Sequence, residues 1–443
     1  MVTYKFKHST IGFNQDHKHQ GNKPMSQATI KGLFTRLSST SRTIWENQFG
    51  TNEQTVQSLC KRLLTLRGET AAILVADEIN ERIAKQTNEE NLIFFEFLLS
   101  EMQPDRAKLQ DAAKAYLTTP NPDTISELAK ASDARFMSLF RMMSTSPRGP
   151  HALVKLRQSL HKILPENPHL KPLDQGLVHI FRSWFNRGFL TLEKIDWTTP
   201  AHILEKLISY EAVHEIKGWP DLRRRLDDDR RCYAFFHPAL KDEPLIFVQV
   251  ALVDSISDNI QTLLNQSPES AAIEPNTAIF YSISNCQPGL KGISFGNFLI
   301  KQVVRNLNHE LPGLKQFSTL SPVPGFRKWL DANTQTDTQI NENDEPLLME
   351  ACAHYLLNEK RKTFPLDPVA RFHLGNGAKL ARLNWNGDSS DRGQKQSYGI
   401  MVNYVYDMPK VEKNHEDFVN SGTISTTSTI SKLAAVYEKR QSS

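Results

Sequence analysis

The chain has 443 residues, more than one hydrophobic core usually serves, so two or three domains are expected. A hydrophobic fraction of 39% and a charged fraction of 23% are those of a soluble globular protein. No apolar run approaches the roughly 20 residues that span a bilayer, and a net charge of +4 is too small to demand a nucleic-acid partner, though a local basic patch for a phosphorylated ligand is allowed.

The first 45 residues hold one acid, Asp16, against seven Lys or Arg, and little apolar periodicity. Residues 1–25 therefore read as a disordered arm, in which His17 and His19 are solvated rather than metal-binding. From residue 26 to about 187 apolar residues recur at three and four spacing, as in "TVQSLCKRLLTL", "ETAAILVADEINERIA" and "NLIFFEFLLSEM". The stretches "TNEQ", "TNEE" and "PDTISE" supply caps followed by an acidic turn, and proline-bearing "TTPNP", "TSPRGP" and "PENPHLKP" punctuate the helices. An all-helical antiparallel bundle results, with Met137, Met142, Met143, Phe136 and Phe140 expected in its core.

A second domain is expected over 188–410. "GFLTLEKIDW" reads as a strand, "TPAHILEKLISYEAVHEI" as a capped helix, and "RCYAFFHPAL" and "EPLIFVQVALV" as strands. The charged run Asp221–Arg231, "DLRRRLDDDRR", reads as a solvated helix end that could also seat part of an anionic ligand. Then come a buried strand, "TAIFYSISN", a glycine-bearing loop, "CQPGLKGISFGN", and an amphipathic helix, "FLIKQVVRNLNHE". In Lys291–Asn297 two glycines, Gly292 and Gly296, flank a segment where backbone N–H groups can converge on an anion at the start of that helix. It is neither a Walker loop nor a GxGxxG motif. Lys301 and Arg305, one turn apart, either meet an outer phosphate or are ordinary solvated charges.

"FSTLSPVPGF", Phe317–Phe326, places two prolines and a glycine behind Ser321, which alone suggests a turn or a helix start. In "LDPVARFHLGNGAKLARLNW" an alternating strand is expected to carry His373 to a tight Gly-Asn-Gly turn. The C-terminal 411–443 reads as a polar linker and a short helix; "SKL" at Ser431–Leu433 is internal and no peroxisomal address. Cys60, Cys232, Cys286 and Cys352 form no CxxC pair, which argues against zinc or a disulfide scaffold and for a reducing compartment. Cytoplasm is the default, with the mitochondrial matrix as the alternative if the arm is a transit peptide.

Taken together, "FYSISNCQPGLKGISFGNFLIKQVV", "FSTLSPVPGFRKWL", "DPVARFHLGNGAKLARLNW" and "YGIMVNYVYD" resemble the malonyl-CoA decarboxylase family, in order, over about Gly218–Asp407. The resemblance implies an α+β protein: an N-terminal helical bundle followed by a mixed α/β domain of the GCN5-related acetyltransferase type. It implies cleavage of malonyl-CoA to acetyl-CoA and carbon dioxide without biotin, metal or pyridoxal phosphate, and self-association through the helical domain is expected alongside it. It places the catalytic pair on Ser321 and His373, the CoA phosphate loop on Lys291, Gly292, Ile293, Ser294, Phe295, Gly296 and Asn297, and a pocket tyrosine on Tyr406. Members of that family carry a glutamate in the loop where this chain has Ser294. If that glutamate orients the histidine, the relay here is arranged differently, while backbone phosphate binding is unaffected.

The chemistry that the resemblance implies suits these residues. Loss of carbon dioxide leaves an enolate, so the site must supply oxyanion donors, a desolvated carboxylate pocket and a proton. Ser321 would bond the carboxylate, and His373, with a pKa expected near neutrality, would protonate C2 directly or through Ser321. The rival is an acyl-CoA-dependent N-acyltransferase on the same fold, which needs an open groove for an amine. A third reading is a non-enzymatic scaffold with a decayed CoA site.

Overall fold

The computed structural model describes residues 55–185, 187–266, 274–293, 298–333, 341–342 and 344–441. The expected N-terminal arm, the "TNEQ" cap and loop residues Ser294, Phe295, Gly296 and Asn297 lie outside the described residues.

Helices come first: α1 (Val56–Leu63), α2 (Glu69–Ile83), α3 (Asn88–Glu101), α4 (Arg106–Thr118), α5 (Pro122–Ser132), α6 (Arg135–Met143), α7 (Gly149–Ile163) and α8 (Lys171–Trp184). The spacing that predicted them also buries them, since Leu59, Ile79, Phe94, Leu98, Phe140, Leu160 and Phe181 are all buried. Thr87 and Glu90 form a capping box at α3, and Asn121, just ahead of the predicted stretch, caps α5. Phe136, Met137, Phe140 and Met143 are buried and Met142 is half-buried. The α4–α5 hairpin has no buried residue and packs on itself.

Strands begin with β1 (Thr191–Ile195), followed by α9 (Ala201–Tyr210), α10 (Trp219–Arg225), β2 (Arg230–Phe236), β3 (Ile246–Val253) and α11 (Ile260–Asn265). Next come β4 (Thr277–Asn285), α12 (Phe298–Glu310), β5 (Gln316–Thr319), β6 (Ser321–Pro322), α13 (Phe326–Asn333) and α14 (Glu345–Leu357). The chain continues through β7 (Lys360–Arg361), β8 (Phe364–Pro365), α15 (Pro368–Gly375), β9 (Lys379–Asn384), α16 (Asp391–Ser397) and β10 (Met401–Val405). It ends with α17 (Val411–Ser421) and α18 (Ser428–Gln441). Val56–Ser443 forms one compact unit in which helices precede a mixed sheet, the fold class expected.

The sheet runs β1-β2-β3-β4-β5-β10-β6, with β9 on β10. Every residue of β3 is buried, which explains its unbroken apolar run. β4 and β5 pair in parallel from Thr277 opposite Gln316 to Phe280 opposite Thr319, and the last bond across them runs from Leu320 N–H to the Phe280 carbonyl at 3.0 Å. Beyond that point β4 continues to Asn285 paired only with β3, while the other chain turns to pair with β10. The sheet therefore splits just ahead of Ser321.

Four expectations are corrected. α9 starts at Pro200 without a side-chain cap, because Thr199 Oγ1 instead accepts the Asp196 N–H. The run Asp221–Arg231 is only partly solvated: Arg223 and Asp228 are exposed, but Arg225, Asp229 and Arg230 are buried and ion-paired. His373 lies on helix α15, not on a strand; Asp367 accepts the N–H groups of Val369 and Ala370, and Pro368 opens the helix. The predicted turn does follow it, with Gly377 at φ +84. The C-terminal linker is helix α17, held by buried Val411 and Phe418 and ended by left-handed Gly422.

Candidate active site

Ser321 and His373, 52 positions apart in sequence, meet: Ser321 Oγ lies 3.1 Å from His373 Nε2. On the far side of the ring, His373 Nδ1 lies 2.9 Å from the Tyr406 hydroxyl. All three side chains are buried, at 5%, 4% and 3% exposure.

The direction of these bonds follows from a residue that sequence reasoning missed. Ser321 Oγ donates to Thr319 Oγ1 at 2.9 Å, and the same oxygen accepts the Tyr404 N–H at 3.1 Å. A serine hydroxyl has one proton, so its oxygen must accept from His373 Nε2–H, which leaves Nδ1 to accept from Tyr406. Thr319 sits two positions before Ser321 on the same strand course, so the period of two was the signal that could have found it.

Burial alone drives the His373 pKa down to about 3, so the imidazole is neutral. This overturns the expectation of a histidine titrating near neutrality. The Tyr404 ring stacks on it at 4.7 Å, and Phe372 meets it edge-on at 5.1 Å. Burial likewise raises Tyr406 well above its usual value, so it keeps its proton.

The elements carrying the pair are tied by Asp367, also missed. It is fully buried, caps α15 through Oδ1, and lies against Gly325 in the proline-rich turn after Ser321, where a Cβ would sit 3.8 Å from its Oδ2. Burial raises its pKa to about 6, against the opposing effect of those backbone bonds. Asp367 Oδ2 and the Tyr404 hydroxyl are buried without hydrogen-bond partners among the described residues. Gly325 is needed for space: a Cβ there would lie 2.3 Å from the Tyr355 hydroxyl.

Of the expected phosphate loop, Lys291 and Gly292 are exposed and Ile293 is buried. Gly292 adopts φ +79 with open space around it, a conformation glycine reaches without strain. Lys301 is neither solvated nor free for a phosphate, since its amine pairs with Glu412 at 2.6 Å and its side chain is nearly buried. Arg305 is exposed. The four cysteines are free and buried.

Residues 102–185 match the malonyl-CoA decarboxylase N-terminal domain, and 188–349 and 333–443 match the malonyl-CoA decarboxylase C-terminal domain. Rat mitochondrial malonyl-CoA decarboxylase is 37% identical over 353 residues, 69% of this chain and 72% of that protein. The crystal structure of malonyl-CoA decarboxylase from Rhodopseudomonas palustris superposes with a TM-score of 0.81 at 44% identity, covering 85% of this chain and 98% of that one. The enzyme from Agrobacterium vitis gives 0.79 at 43% identity, covering 85% and 99%. Fold and kinship together define a carboxy-lyase. The chain belongs to the malonyl-CoA decarboxylase family.

Proposed function

We propose that the protein converts malonyl-CoA to acetyl-CoA and carbon dioxide, with Ser321 and His373 as catalytic residues and Tyr406 behind them. The observation that carries this is the buried line Ser321–His373–Tyr406, closed at 3.1 and 2.9 Å where the sheet splits. The CoA phosphates would rest on Lys291–Asn297 and the acyl end would reach the split. The arm on which a mitochondrial location turns lies outside the described residues.

Cleavage of the C2–carboxylate bond pushes its electron pair into the thioester carbonyl, which is itself the electron sink. No biotin, metal or pyridoxal phosphate is called for. The Ser321 hydroxyl, turning from Thr319, bonds the malonyl carboxylate, and the buried Tyr404 ring stacked on His373 keeps the imidazole side of the site dry. Once carbon dioxide has left, a C2–H bond forms with a proton from His373, directly or through Ser321. In the second route the Ser321 O–H bond breaks as C2 takes its proton, and His373 Nε2–H passes to Oγ. A neutral imidazole suffices, because an enolate carbon is a far stronger base than the conjugate base of either donor. The reaction consumes one proton, restored from solvent after product release.

Self-association through the helical half belongs to this reading; the α4–α5 hairpin, with exposed Leu117 and Ile125, offers a surface for it. Sedimentation at micromolar concentration tests it, and a monomer would count against it. The activity itself is tested by incubation with malonyl-CoA alone. Acetyl-CoA and carbon dioxide in equal amounts are expected with no acceptor present. Turnover that waits on an added amine would assign the chain to acyl transfer instead.

A further inference from the structure

The helical half reaches the expected phosphate loop through one buried side chain. Arg157 of α7, 3% exposed, donates from Nη1 to the carbonyls of Gly289 and Lys291 at 2.7 and 2.9 Å. Its Nε donates to Asp174 Oδ1 of α8 at 2.7 Å, and His161 Nε2 lies 2.9 Å from the same oxygen. The backbones are in contact too, since a Cβ on Gly289 would lie 1.9 Å from the Val154 carbonyl oxygen.

The contact has a directional consequence. A trans peptide plane points its C=O and N–H to opposite sides. With the Lys291 carbonyl drawn toward Arg157, the Gly292 N–H is sent away from α7. That N–H makes no hydrogen bond to any described residue, whereas the N–H groups of Leu290, Lys291 and Ile293 are all used, on Gln287, Pro288 and Leu290. Gly292 itself is exposed in open space. An outward glycine N–H that no described residue uses is what an anionic oxygen needs. Because Asp174 already neutralises the guanidinium, the contribution of Arg157 to that site is orientation more than charge.

We propose that Arg157 is a positioning residue for the phosphate end of the substrate: by holding the Gly289 and Lys291 carbonyls it presents the Gly292 N–H to a CoA phosphate, so that substrate affinity depends on the helical half. This rests on the functional reading above.

The test compares malonyl-CoA with malonyl-pantetheine, which keeps the thioester and lacks the nucleotide phosphates. Wild-type turnover of malonyl-CoA is measured first, and its absence would overturn the functional reading and this inference with it. Given turnover, Arg157→Gln should raise KM for malonyl-CoA about tenfold with kcat within twofold, while kcat/KM for malonyl-pantetheine stays at the wild-type value. Arg157→Lys should behave like Arg157→Gln, since it keeps the charge and loses the fork. Full rescue by lysine, an equal loss on both substrates, or no loss on either would overturn the proposal. Should the Arg157 variants fail to fold, Asp174→Asn removes the negative charge that holds Arg157 Nε, keeps a weaker amide acceptor and leaves the chain otherwise intact. A KM increase of about threefold confined to malonyl-CoA is expected, and an unchanged or substrate-independent effect would overturn the proposal.

Discussion

Two of the polar clusters among the described residues differ in how completely they are satisfied. In the first, the Glu211 carboxylate accepts the N–H groups of Val213 and His214, the hydroxyls of Ser282 and Ser284, and the Gln249 amide. Gln249 in turn accepts from Tyr281 and Arg225, Arg225 is held by Asp221, and Asp229 takes Arg224 through two bonds and Arg230 through a third. In the second, around His373, Asp367 Oδ2 and the Tyr404 hydroxyl have no partner among the described residues, and Ser321 is parked on Thr319. The carboxylates and guanidiniums of the first cluster are all used and act as a clamp, while His214 Nε2 beside them stays buried without a partner among the described residues. Unspent capacity beside a neutral imidazole is what the chemistry proposed for Ser321 and His373 would draw on.

The sharpest test of that contrast is to remove one group from each cluster and read both activity and stability. Ser321→Ala and His373→Asn should each lower kcat by about 10²- to 10⁴-fold, the usual worth of a positioned proton donor, with the urea midpoint nearly unchanged. Either variant at wild-type activity would take that residue out of the mechanism. Asp229→Asn should do the reverse. It leaves Arg224 and Arg230 facing one neutral amide, and removing a partner from a buried ion pair costs about 3–5 kcal/mol. Urea unfolding would show the loss, and an undisturbed midpoint would mean that the clamp is ornamental to folding.

The same contrast explains what could be read from the chain. The helices of the N-terminal half and β1 to β4 were legible from apolar periodicity, and the pairing of Ser321 with His373 from the family resemblance of the quoted motifs. The helix beneath His373 was not: eight residues opened by Pro368 look like an alternating strand unless Asp367 is seen as its cap. The run "DLRRRLDDDRR" misled because charge alone says nothing of burial, and only the fold places Asp229 between two arginines. Lys301 failed as a phosphate ligand for a similar reason, since Glu412, which neutralises it, is 111 positions away.

Asp367 offers a test that uses pH. Its folded pKa of about 6 stands above the ordinary 3.8. The folded form therefore keeps a proton that the unfolded chain releases, and the stability this contributes is full below about 3.8 and lost as pH rises through about 6. At 1.36 kcal/mol per pKa unit the loss between pH 4 and pH 7.5 is about 2–3 kcal/mol. His373, depressed to about 3, slopes the other way, losing stability as pH falls below its unfolded value. The reading is thus the difference between wild type and Asp367→Asn, in which the His373 contribution cancels. The asparagine keeps a capping oxygen and cannot ionise, so the variant should gain on wild type across that interval in urea unfolding. Parallel pH profiles would show that Asp367 is ionised throughout.

The smallest effect expected is at Thr319, and it tests the proton order most directly. Thr319→Val removes the acceptor that holds the Ser321 hydroxyl and leaves the buried Tyr404 N–H unpaired. The freed Ser321 proton then turns to His373 Nε2, and the ring must carry its own proton on Nδ1, facing Tyr406. Losing one such bond is worth about 1–2 kcal/mol, a drop in kcat of about 5- to 30-fold with KM little changed. Thr319→Ser keeps the oxygen and should restore most of it. Nitrogen-15 shifts of the His373 ring separate this from a general loosening of the site, since only a change of tautomer exchanges the protonated nitrogen. A slow Thr319→Val enzyme with Nε2 still protonated would mean that Thr319 supports the strand and does not aim the serine.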